Sequence, residues 1–412
     1  MSNAYQNPVI YTEECLRILK NNIVLGAKVS RAQQSQFGKD SMKIGDTINI
    51  RRPARFTVSS GASFSAQDYT ETSIPLVINS QKHIDTSFTS SDMTLKLQDF
   101  SDRVLKPKMI QLAQQVDIDG YTNAKNTVGN MTGTPGTSPN NISFLTDLGR
   151  KMDDFSTPRD TRYFALDQGS NASLINALSG FYQNAKQIAD QYTDGVFADM
   201  MNTVGLKMAM SQNIARHTVG PLGGTPLVNG ASQGITTGWA NTGTLITDGW
   251  TAAAASRLAA GDIFTIANVF AVNPVTKQST GQLMQFVVTT AASSDGAGNL
   301  TATVSPALIS GGPFQNISAA PADNAALTIS GTASTSYARN LAWHPDAFSL
   351  AVVPMVDLAF AGGWGAVRSQ DGFSLRVFRQ AAISTDTVGN RVDCLYGWAT
   401  PYPEQACQQV SA

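Results

Sequence analysis

The longest periodic stretch of the chain runs from Asp99 to Asn126. Apolar residues recur along it at helical spacing, which predicts a single amphipathic helix. The members of this apolar stripe are Leu105, Met109, Leu112, Val116 and Ala124. Ser101 is a suitable N-cap, and Pro107 either kinks the helix or marks its true first turn. At about 1.5 Å per residue the helix is roughly 40 Å long, enough to cross a domain.

A shorter helix precedes this long one. Thr12 is its predicted N-cap, and acidic residues follow in the first turn, where they suit the helix dipole. Leu16, Leu19 and Ile23 form its apolar stripe, and Gly26 is the predicted end. The pattern is typical of a terminal arm.

Two extended segments follow, at residues 45–58 and 73–88, and a polar loop joins them at Ser59–Thr72. A two-stranded arm of this kind is too thin to be stable alone. It must therefore pack on the body of its own subunit or on a neighbour. Pro53 and the nearby arginines would protect its edges from uncontrolled strand pairing.

Short strands and helices are predicted after the long helix and again near the C-terminus. Residues 129–141, rich in Gly, Thr and Asn, are expected to be a flexible connection. The elements after it are strands at 162–166 and 206–210 and helices at 172–178 and 185–192. Further strands at 348–353, 374–379 and 391–398 are expected to complete the sheet left open at Met210.

Between these two parts the period becomes two. Alternation places Phe264, Ile266, Phe270 and Val272 on one face of a strand, and two later strands alternate in the same way. The apolar positions of those later strands are Met284, Phe286, Val288, Leu300, Ala302 and Val304. A small β-barrel or sandwich inserted into the α/β body fits this pattern best.

Composition sharpens that boundary. Residues 217–338 carry only two basic and four acidic side chains among 122 positions. Over the whole 412 residues the net charge is −1 and charged residues make up 14%, against about 25% in average soluble domains. A surface with so little charge favours association.

Cysteine usage and the N-terminal sequence point to a reducing compartment. Cys15, Cys394 and Cys407 are too few and too scattered for a disulfide framework or a zinc site. The N-terminus lacks a cationic and apolar leader, so we predict synthesis and use in the cytoplasm. Residues 349–367 are apolar enough to resemble a membrane span, but Pro354 and Asp357 favour a buried strand and loop.

The first 60 residues are basic, with nine Lys or Arg against four acidic residues. This charge is typical of a surface that faces nucleic acid or an acidic partner, and a merely solvated basic face is the alternative. The candidates for a DNA-facing side are Lys20, Lys28 and Arg31. The uncharged insertion is a poor DNA surface, because phosphates need Lys and Arg to neutralise them.

Motifs for catalysis, cofactors and metals are weak. Residues 230–234 match G-x-S-x-G but lack the strand and helix that would hold the serine. Asp117 and Asp119 do not fit a calcium loop and are expected to be helix-surface carboxylates. The three histidines lie on different elements, and residues 362–365 lack a dinucleotide-binding context. We therefore predict no enzyme activity, no catalytic residue, no cofactor and no metal.

Several longer segments together resemble the major capsid proteins of P22-like tailed bacteriophages. The segments are GDTINIRRPARF near the start, RVLKPKMIQLAQQVDIDGY in the long helix, GDIFTIANVFAVNPVTKQSTGQLMQF in the insertion, and NLAWHPDAFSLAVVPM, DGFSLRVFRQAAISTD and RVDCLYGWATPYPEQA in the C-terminal part. No single segment is specific, but the combination covers most of the chain. His344–Pro345 and the Gln-rich tail after Pro403 are less typical of the family.

The resemblance implies an α+β HK97-like capsid fold with an inserted β-barrel. Its parts would be an N-terminal arm, an extended hairpin called the E-loop, a spine helix with the peripheral domain, an axial and peripheral α/β body, and the barrel. In order, they would occupy residues 1–37, 38–90, 91–128, 129–216 with 339–412, and 217–338.

The same resemblance implies a shell of hexamers and pentamers that self-assembles in the host bacterial cytoplasm. A scaffolding protein, a portal protein and non-specifically packaged double-stranded DNA would be partners, with no membrane, and the mature location would be the virion. Candidates for inter-subunit contacts are Arg51, Arg52 and Arg55, pairing with Asp99 or Asp102 of an adjacent subunit. Solvated arginines are the alternative interpretation.

Two other functions share part of the pattern. An encapsulin-type compartment would have the same fold but would hold cargo enzymes instead of DNA. A β-rich virion surface protein or tail adhesin would account for the Thr- and Ser-rich insertion, but it leaves the long helix unexplained.

Overall fold

The structure is a computed structural model with side chains. The structure describes residues 8–36, 45–62, 64, 66–67, 71–89, 104–141, 143–178, 206–210, 212–358, 364–382 and 387–412. The chain forms two compact units. The first contains residues 1–50, 75–120 and 349–399, and the second contains 51–74, 121–348 and 400–412.

Among the described residues, strands outnumber helices. The α-helices are α1 (Pro8–Asn22), α2 (Lys106–Thr127), α3 (Ser143–Asp154) and α4 (Gln168–Leu178), and 3₁₀ turns lie at Ala32–Gln36, Pro345–Ala347 and Pro403–Gln405. The strands up to the insertion are β1 (Thr47–Arg52), β2 (Thr72–Val77), β3 (Ser80–Thr89), β4 (Met131–Thr132), β5 (Arg162–Leu166), β6 (Leu206–Met210) and β7 (Arg216–Thr218). Those that follow are β8 (Gly224–Val228), β9 (Gly243–Trp250), β10 (Ala255–Leu258), β11 (Ile263–Val272), β12 (Ser279–Val288), β13 (Ala292–Ser294), β14 (Leu300–Ser305) and β15 (Leu327–Ile329). The last are β16 (Ser336–Trp343), β17 (Ser349–Val353), β18 (Trp364–Gln370), β19 (Phe373–Ala382), β20 (Thr387–Ala399) and β21 (Ala406–Val410).

The first unit is built on strand β20. It pairs with β3, β17 and β19, and β18 continues the sheet beyond β19. Alternation predicts one buried face for this strand, but both faces are covered from Val392 to Tyr396. Asp393 tolerates this burial because Arg376 and Arg391 both donate to its carboxylate.

Helix α1 packs on this sheet through its predicted stripe, and Leu16 and Leu19 are fully buried. The predicted start at Thr12 is wrong. The helix begins at Pro8, and Thr12 is fully buried within it. Proline suits the first helical position because its fixed φ is helical and its missing N–H would have no partner there.

The long helix α2 begins at Lys106, so Pro107 lies in its first turn and does not kink it. The five predicted stripe residues are all buried, which confirms the periodicity. The predicted N-cap Ser101 lies outside the described residues. In the first unit, Gly120 lets the helix approach closely, since a Cβ there would lie 2.6 Å from Trp398 Cζ2 and 2.8 Å from Leu25 Cδ2.

The second unit contains a six-stranded sheet in the order β4-β21-β16-β5-β6, with β7 also paired to β16. The pairs β5–β6 and β4–β21 are parallel. Strands β5 and β6 have the predicted bounds. The strands predicted to complete this sheet are wrong, because β17, β19 and β20 belong to the first unit and β16 and β21 take their place. Arg339 and Asn340 interrupt the apolar pattern of β16, and the predicted boundary at Ala338 falls inside it. The helix predicted at 185–192 lies outside the described residues.

The expected flexible connection at 129–141 begins with residues that are packed into this unit. Met131 exchanges two hydrogen bonds with the Gln285 side chain, at 2.8 and 2.9 Å. Gly129 packs so closely that a Cβ would lie 2.9 Å from the Gln285 carbonyl oxygen. Glycine and small polar residues here serve close packing, which composition alone cannot distinguish from flexibility.

The inserted strands form a nearly closed barrel in the order β15-β11-β12-β14-β9-β8. Val228 N–H donates to the Ala325 carbonyl at 2.9 Å, and Asn324 N–H donates to the Val228 carbonyl at 2.9 Å, which draws the first and last strands together. The alternating positions predicted in β12 and β14 all lie in the core. Of the two predicted architectures, the barrel is therefore the correct one.

The predicted alternation in β11 fails halfway along the strand. Phe264 and Ile266 enter the barrel core, but Val269 and Ala271 follow them instead of Phe270 and Val272. The cause is a bulge, at which Asn268 has a φ of 64° and the register with β12 shifts. A bulge adds one residue to a strand and moves later side chains to the other face.

This bulge makes a prediction for Asn268. Replacement by valine should lower the free energy of unfolding by about 1–2 kcal/mol, because a β-branched residue is strained at positive φ. Replacement by glycine should change it by less than about 0.5 kcal/mol. Urea unfolding of both variants measures the difference, and equal losses would show that φ is not the cause.

Candidate subunit-contact site

The loop that follows β1 presents apolar side chains to solvent. Phe56 is 58% exposed, Val58 is 99% exposed and Phe64 is 93% exposed. The Thr57 N–H donates to Gln67 Oε1 at 2.8 Å, and Gln67 Nε2 donates back to the Thr57 carbonyl. These bonds hold the two sides of the loop together while its apolar side chains stay outside. We call residues 53–71 the contact loop.

The base of the contact loop is fixed by an ion-pair cluster within the second unit. The Glu404 carboxylate accepts hydrogen bonds from Arg52 and, at 2.9 Å, from Arg55 Nη2. The Arg52 side chain is only 8% exposed, and its guanidinium lies 4.7 Å from the Tyr402 ring and 5.7 Å from the Trp239 ring. Burial of this kind requires a counter-ion, and Glu404 supplies it.

The three candidate arginines therefore have different environments. Arg52 and Arg55 share the Glu404 carboxylate, whereas Arg51 is 79% exposed and pairs with Glu71 at 3.1 Å. The partners predicted for them on an adjacent subunit, Asp99 and Asp102, lie outside the described residues.

The DNA-side candidates lie in the first unit and also differ. Arg31 donates to the Gly26 carbonyl at 2.9 and 3.2 Å and lies 4.2 Å above the Phe373 ring, and burial lowers its pKa. Lys20 pairs with Asp371. Lys28 is exposed. Arg31 and Lys20 thus have structural contacts of their own, which sequence alone does not reveal.

Asp117 is a structural residue whose position the sequence did not reveal. It is fully buried, and its carboxylate accepts main-chain N–H groups of Val24, Leu25 and Gly26 at 2.7, 3.3 and 3.0 Å. Burial raises its pKa to about 6, against the lowering effect of these bonds. The expected helix-surface position is wrong: Asp117 is one turn from buried Ala113, a spacing that places it on the packed side of α2.

The remaining polar candidates are structural pairs. His217 Nε2 lies 2.8 Å from Asp262 Oδ1 in the barrel unit, and burial lowers the His217 pKa. His344 Nε2 lies 3.1 Å from Asp160 Oδ1. Within the described ranges no three potential ligands gather around a metal position.

The three cysteines are buried thiols. No helix in the same ranges is both long and apolar enough to span a bilayer.

Comparisons with known proteins identify the family. The family model described as P22 coat protein, gene protein 5, matches residues 2–411. A search of curated protein sequences found no match. Among solved structures, the chain is similar to one from Mycobacterium phage Che8, at 11% identity over 94% of this chain and 90% of that one, with a TM-score of 0.49. The I-domain of the CUS-3 coat protein is 28% identical over 26% of this chain and 94% of that one, with a TM-score of 0.19. A virus-like particle from Pyrococcus furiosus is 9% identical over 100% of both chains, with a TM-score of 0.40.

Because the coat protein model spans nearly the whole chain, the class of protein is a viral shell protein. The chain belongs to the P22 coat protein family. It is a major capsid protein that forms a phage head, with the HK97-like fold expected from the resemblance, and its place is the virion. Self-assembly into a shell follows from that role. The match to the P22 coat protein family therefore favours the capsid function over the encapsulin and adhesin alternatives.

Proposed function

We propose that this coat protein assembles in the host bacterial cytoplasm as hexamers and pentamers, with a scaffolding protein, a portal protein and non-specifically packaged double-stranded DNA. The contact loop would reach a neighbouring subunit. The observation that supports this most directly is the exposure of Phe56, Val58 and Phe64 on a loop whose base is fixed by Arg52 and Glu404. Several large apolar side chains exposed on one loop favour an interaction surface. The proposal assigns the chain no catalytic activity.

Arg51 is the predicted contact arginine that remains best placed for a neighbour. It is the most exposed of the three and shares an exposed pair with Glu71. An exposed ion pair contributes little to stability. Arg51 can therefore leave Glu71 and pair with an acidic residue of another subunit at little cost in free energy. Such a contact would set register and orientation more than affinity.

The DNA side of the shell would be the basic N-terminal region, where Lys28 is exposed. The excess of five positive charges in residues 1–60 is modest. Binding should therefore weaken steeply with salt and show no sequence preference. Residues 217–338 carry too little positive charge to contribute to DNA binding.

Composition of purified particles tests the partner proposals. Shells from cells that express the neighbouring phage genes are separated by sedimentation, and their proteins and nucleic acid are identified. We expect scaffolding protein in DNA-free shells, and portal protein with double-stranded DNA in filled ones. Shells that form identically without any other phage protein would contradict the scaffold proposal.

The insertion is also proposed to be a domain in its own right. Strands β7 and β16 pair where the insertion joins the body: Tyr337 lies opposite His217, and Ala338 lies opposite Arg216. A fragment of residues 215–339 therefore keeps both partners of this pairing. Expressed alone, this fragment should give a β-type circular dichroism spectrum and unfold cooperatively. An unfolded product would mean that the boundary is misplaced.

A further inference from the structure

A small cavity lies beside the base of the contact loop, within the second unit. Its volume is about 70 Å³. Arg52, Arg55 and Glu404 line one side, and the apolar walls include Trp239 and Phe314. Residues from the loop base, the barrel and the C-terminal segment thus converge on one space.

The charges around this cavity do not balance. Glu404 is the one acidic side chain among its described lining residues, and Arg52 and Arg55 both bind the same oxygen, Oε1. A third cation, Lys277, donates from Nζ to the Pro313 carbonyl at 2.5 Å. Burial first, and then the Arg55 charge, lower the Lys277 pKa to about 8. Pro313 precedes the lining residue Phe314, so Lys277 lies beside the cavity, where Arg52 and Arg55 already share the one lining carboxylate. We call Arg52, Arg55 and Lys277 the cation cluster.

Arg55 is the member of the cation cluster that can accept a second anion. Arg52 is nearly buried and held between Glu404 and aromatic rings, whereas the Arg55 side chain is 31% exposed. Arg55 uses one nitrogen, Nη2, for Glu404, and a guanidinium has five N–H donors in all. Its other donors have no partner among the residues that the structure describes, so a carboxylate at the cavity mouth would be bound by charge-assisted hydrogen bonds.

Size limits the ligand. The cavity of about 70 Å³ is several times the space that one water molecule needs and suits a small group such as a carboxylate on a short stem. A nucleotide or a sugar ring is too large. A phosphate of DNA is tied to a bulky chain and would have to enter apolar walls. An aspartate or glutamate side chain has the right charge, size and apolar stem.

We propose that this cavity is a socket for the carboxylate of an acidic side chain from a second copy of the chain. The inference rests on the proposed function, because a second copy is adjacent only in a shell. It is favoured by charge complementarity and by position, since Arg55 is followed directly by the exposed Phe56 and Val58 of the contact loop. The same neighbour would cover the apolar side chains and neutralise the cation cluster.

The socket itself is tested on unassembled coat protein with propionate, which mimics a glutamate side chain, and with propionamide as the neutral isostere. Binding is followed by NMR shifts of the Trp239 indole signal. We expect saturable shifts with propionate only, at least tenfold weaker affinity in Arg55→Gln and weaker affinity in Lys277→Gln. Arg150→Gln, an exposed arginine of the same unit, is the matched control and should bind like the wild type. Equal binding of propionamide, or wild-type affinity in Arg55→Gln, would overturn the socket.

The source of the carboxylate is tested in assembled particles. Acetylation of Lys277 at pH 8 should be fast in free subunits, where its pKa is low, and at least tenfold slower in shells, where a bound carboxylate raises that pKa. Shells in which Lys277 reacts at the free-subunit rate would overturn the assignment to a second copy. If the protein forms no shells, the proposed function fails, while the propionate experiment still decides the socket.

Discussion

Coat protein that lacks residues 59–71 should fold normally and form no shells. The deleted segment carries Phe64 and connects to the exposed Phe56 and Val58, but its ends are held by β1 and β2, which remain. A short Gly-Ser linker can join these strands, because they are hydrogen-bonded neighbours. Sedimentation should show monomers, and circular dichroism and thermal unfolding should match those of the intact chain.

A substitution pair separates the loop's chemistry from its length. The double variant Phe56→Ser, Val58→Ser keeps the full loop and should reduce the yield of shells at least tenfold, because it removes apolar contact area. Ile246→Ser is the matched control, since Ile246 is an exposed apolar residue of the barrel, 46% accessible. Normal shells from the deletion variant would contradict an assembly role for the contact loop.

Replacing Asp117 by alanine should lower the free energy of unfolding of the first unit by about 3 kcal/mol at pH 7. The change leaves the N–H groups of Val24, Leu25 and Gly26 without their acceptor, and each unsatisfied group costs about 1–3 kcal/mol. Relief of the cost of burying a charged carboxylate offsets part of that loss. Urea unfolding measures the effect.

The same substitution should have a characteristic pH dependence. Because the folded pKa of Asp117 is about 6 and the unfolded value is 3.8, the folded state binds more protons between these values. The contribution of Asp117 to stability therefore falls as pH rises from about 4 to 6. The difference in unfolding free energy between wild type and Asp117→Ala should be larger at pH 4.5 than at pH 7. Glu13→Ala, which removes an exposed carboxylate of the same unit, is the control, and a pH-independent difference would contradict the assignment.

Patterns that depend on local sequence predicted much of this fold. The strands at 162–166 and 206–210 have the predicted bounds, and Met284, Phe286 and Val288 alternate into the barrel as expected. Met284, Phe286 and Val288 all enter the barrel core, so their period of two directly reflects the environment of this part of β12.

Other elements could not be predicted because their polar residues are satisfied by distant partners. Gln408 lies in the fully buried strand β21, and its side-chain amide donates to the Val128 carbonyl at 2.7 Å, beyond the end of α2. Arg52 finds its counter-ion in Glu404, 352 positions along the chain. Asn268 reverses the faces of β11 through one backbone angle. None of these relationships has a local apolar period.

The candidate site was predicted in part. The sequence singled out the arginines at the loop base, since basic residues flank a polar segment between two extended ones. It did not indicate which of them are buried, because the answer depends on Glu404, Tyr402 and Trp239, which come from other parts of the second unit. The environments of the DNA-side candidates were equally hidden from the sequence, since Arg31 donates to the Gly26 carbonyl.

Negative-stain electron microscopy of the purified chain, expressed with and without its neighbouring genes, tests the central claim most directly. A major capsid protein should give closed shells of uniform diameter in at least one of the two preparations. Monomers in both, from protein that is folded by circular dichroism, would contradict a shell-forming role for this chain.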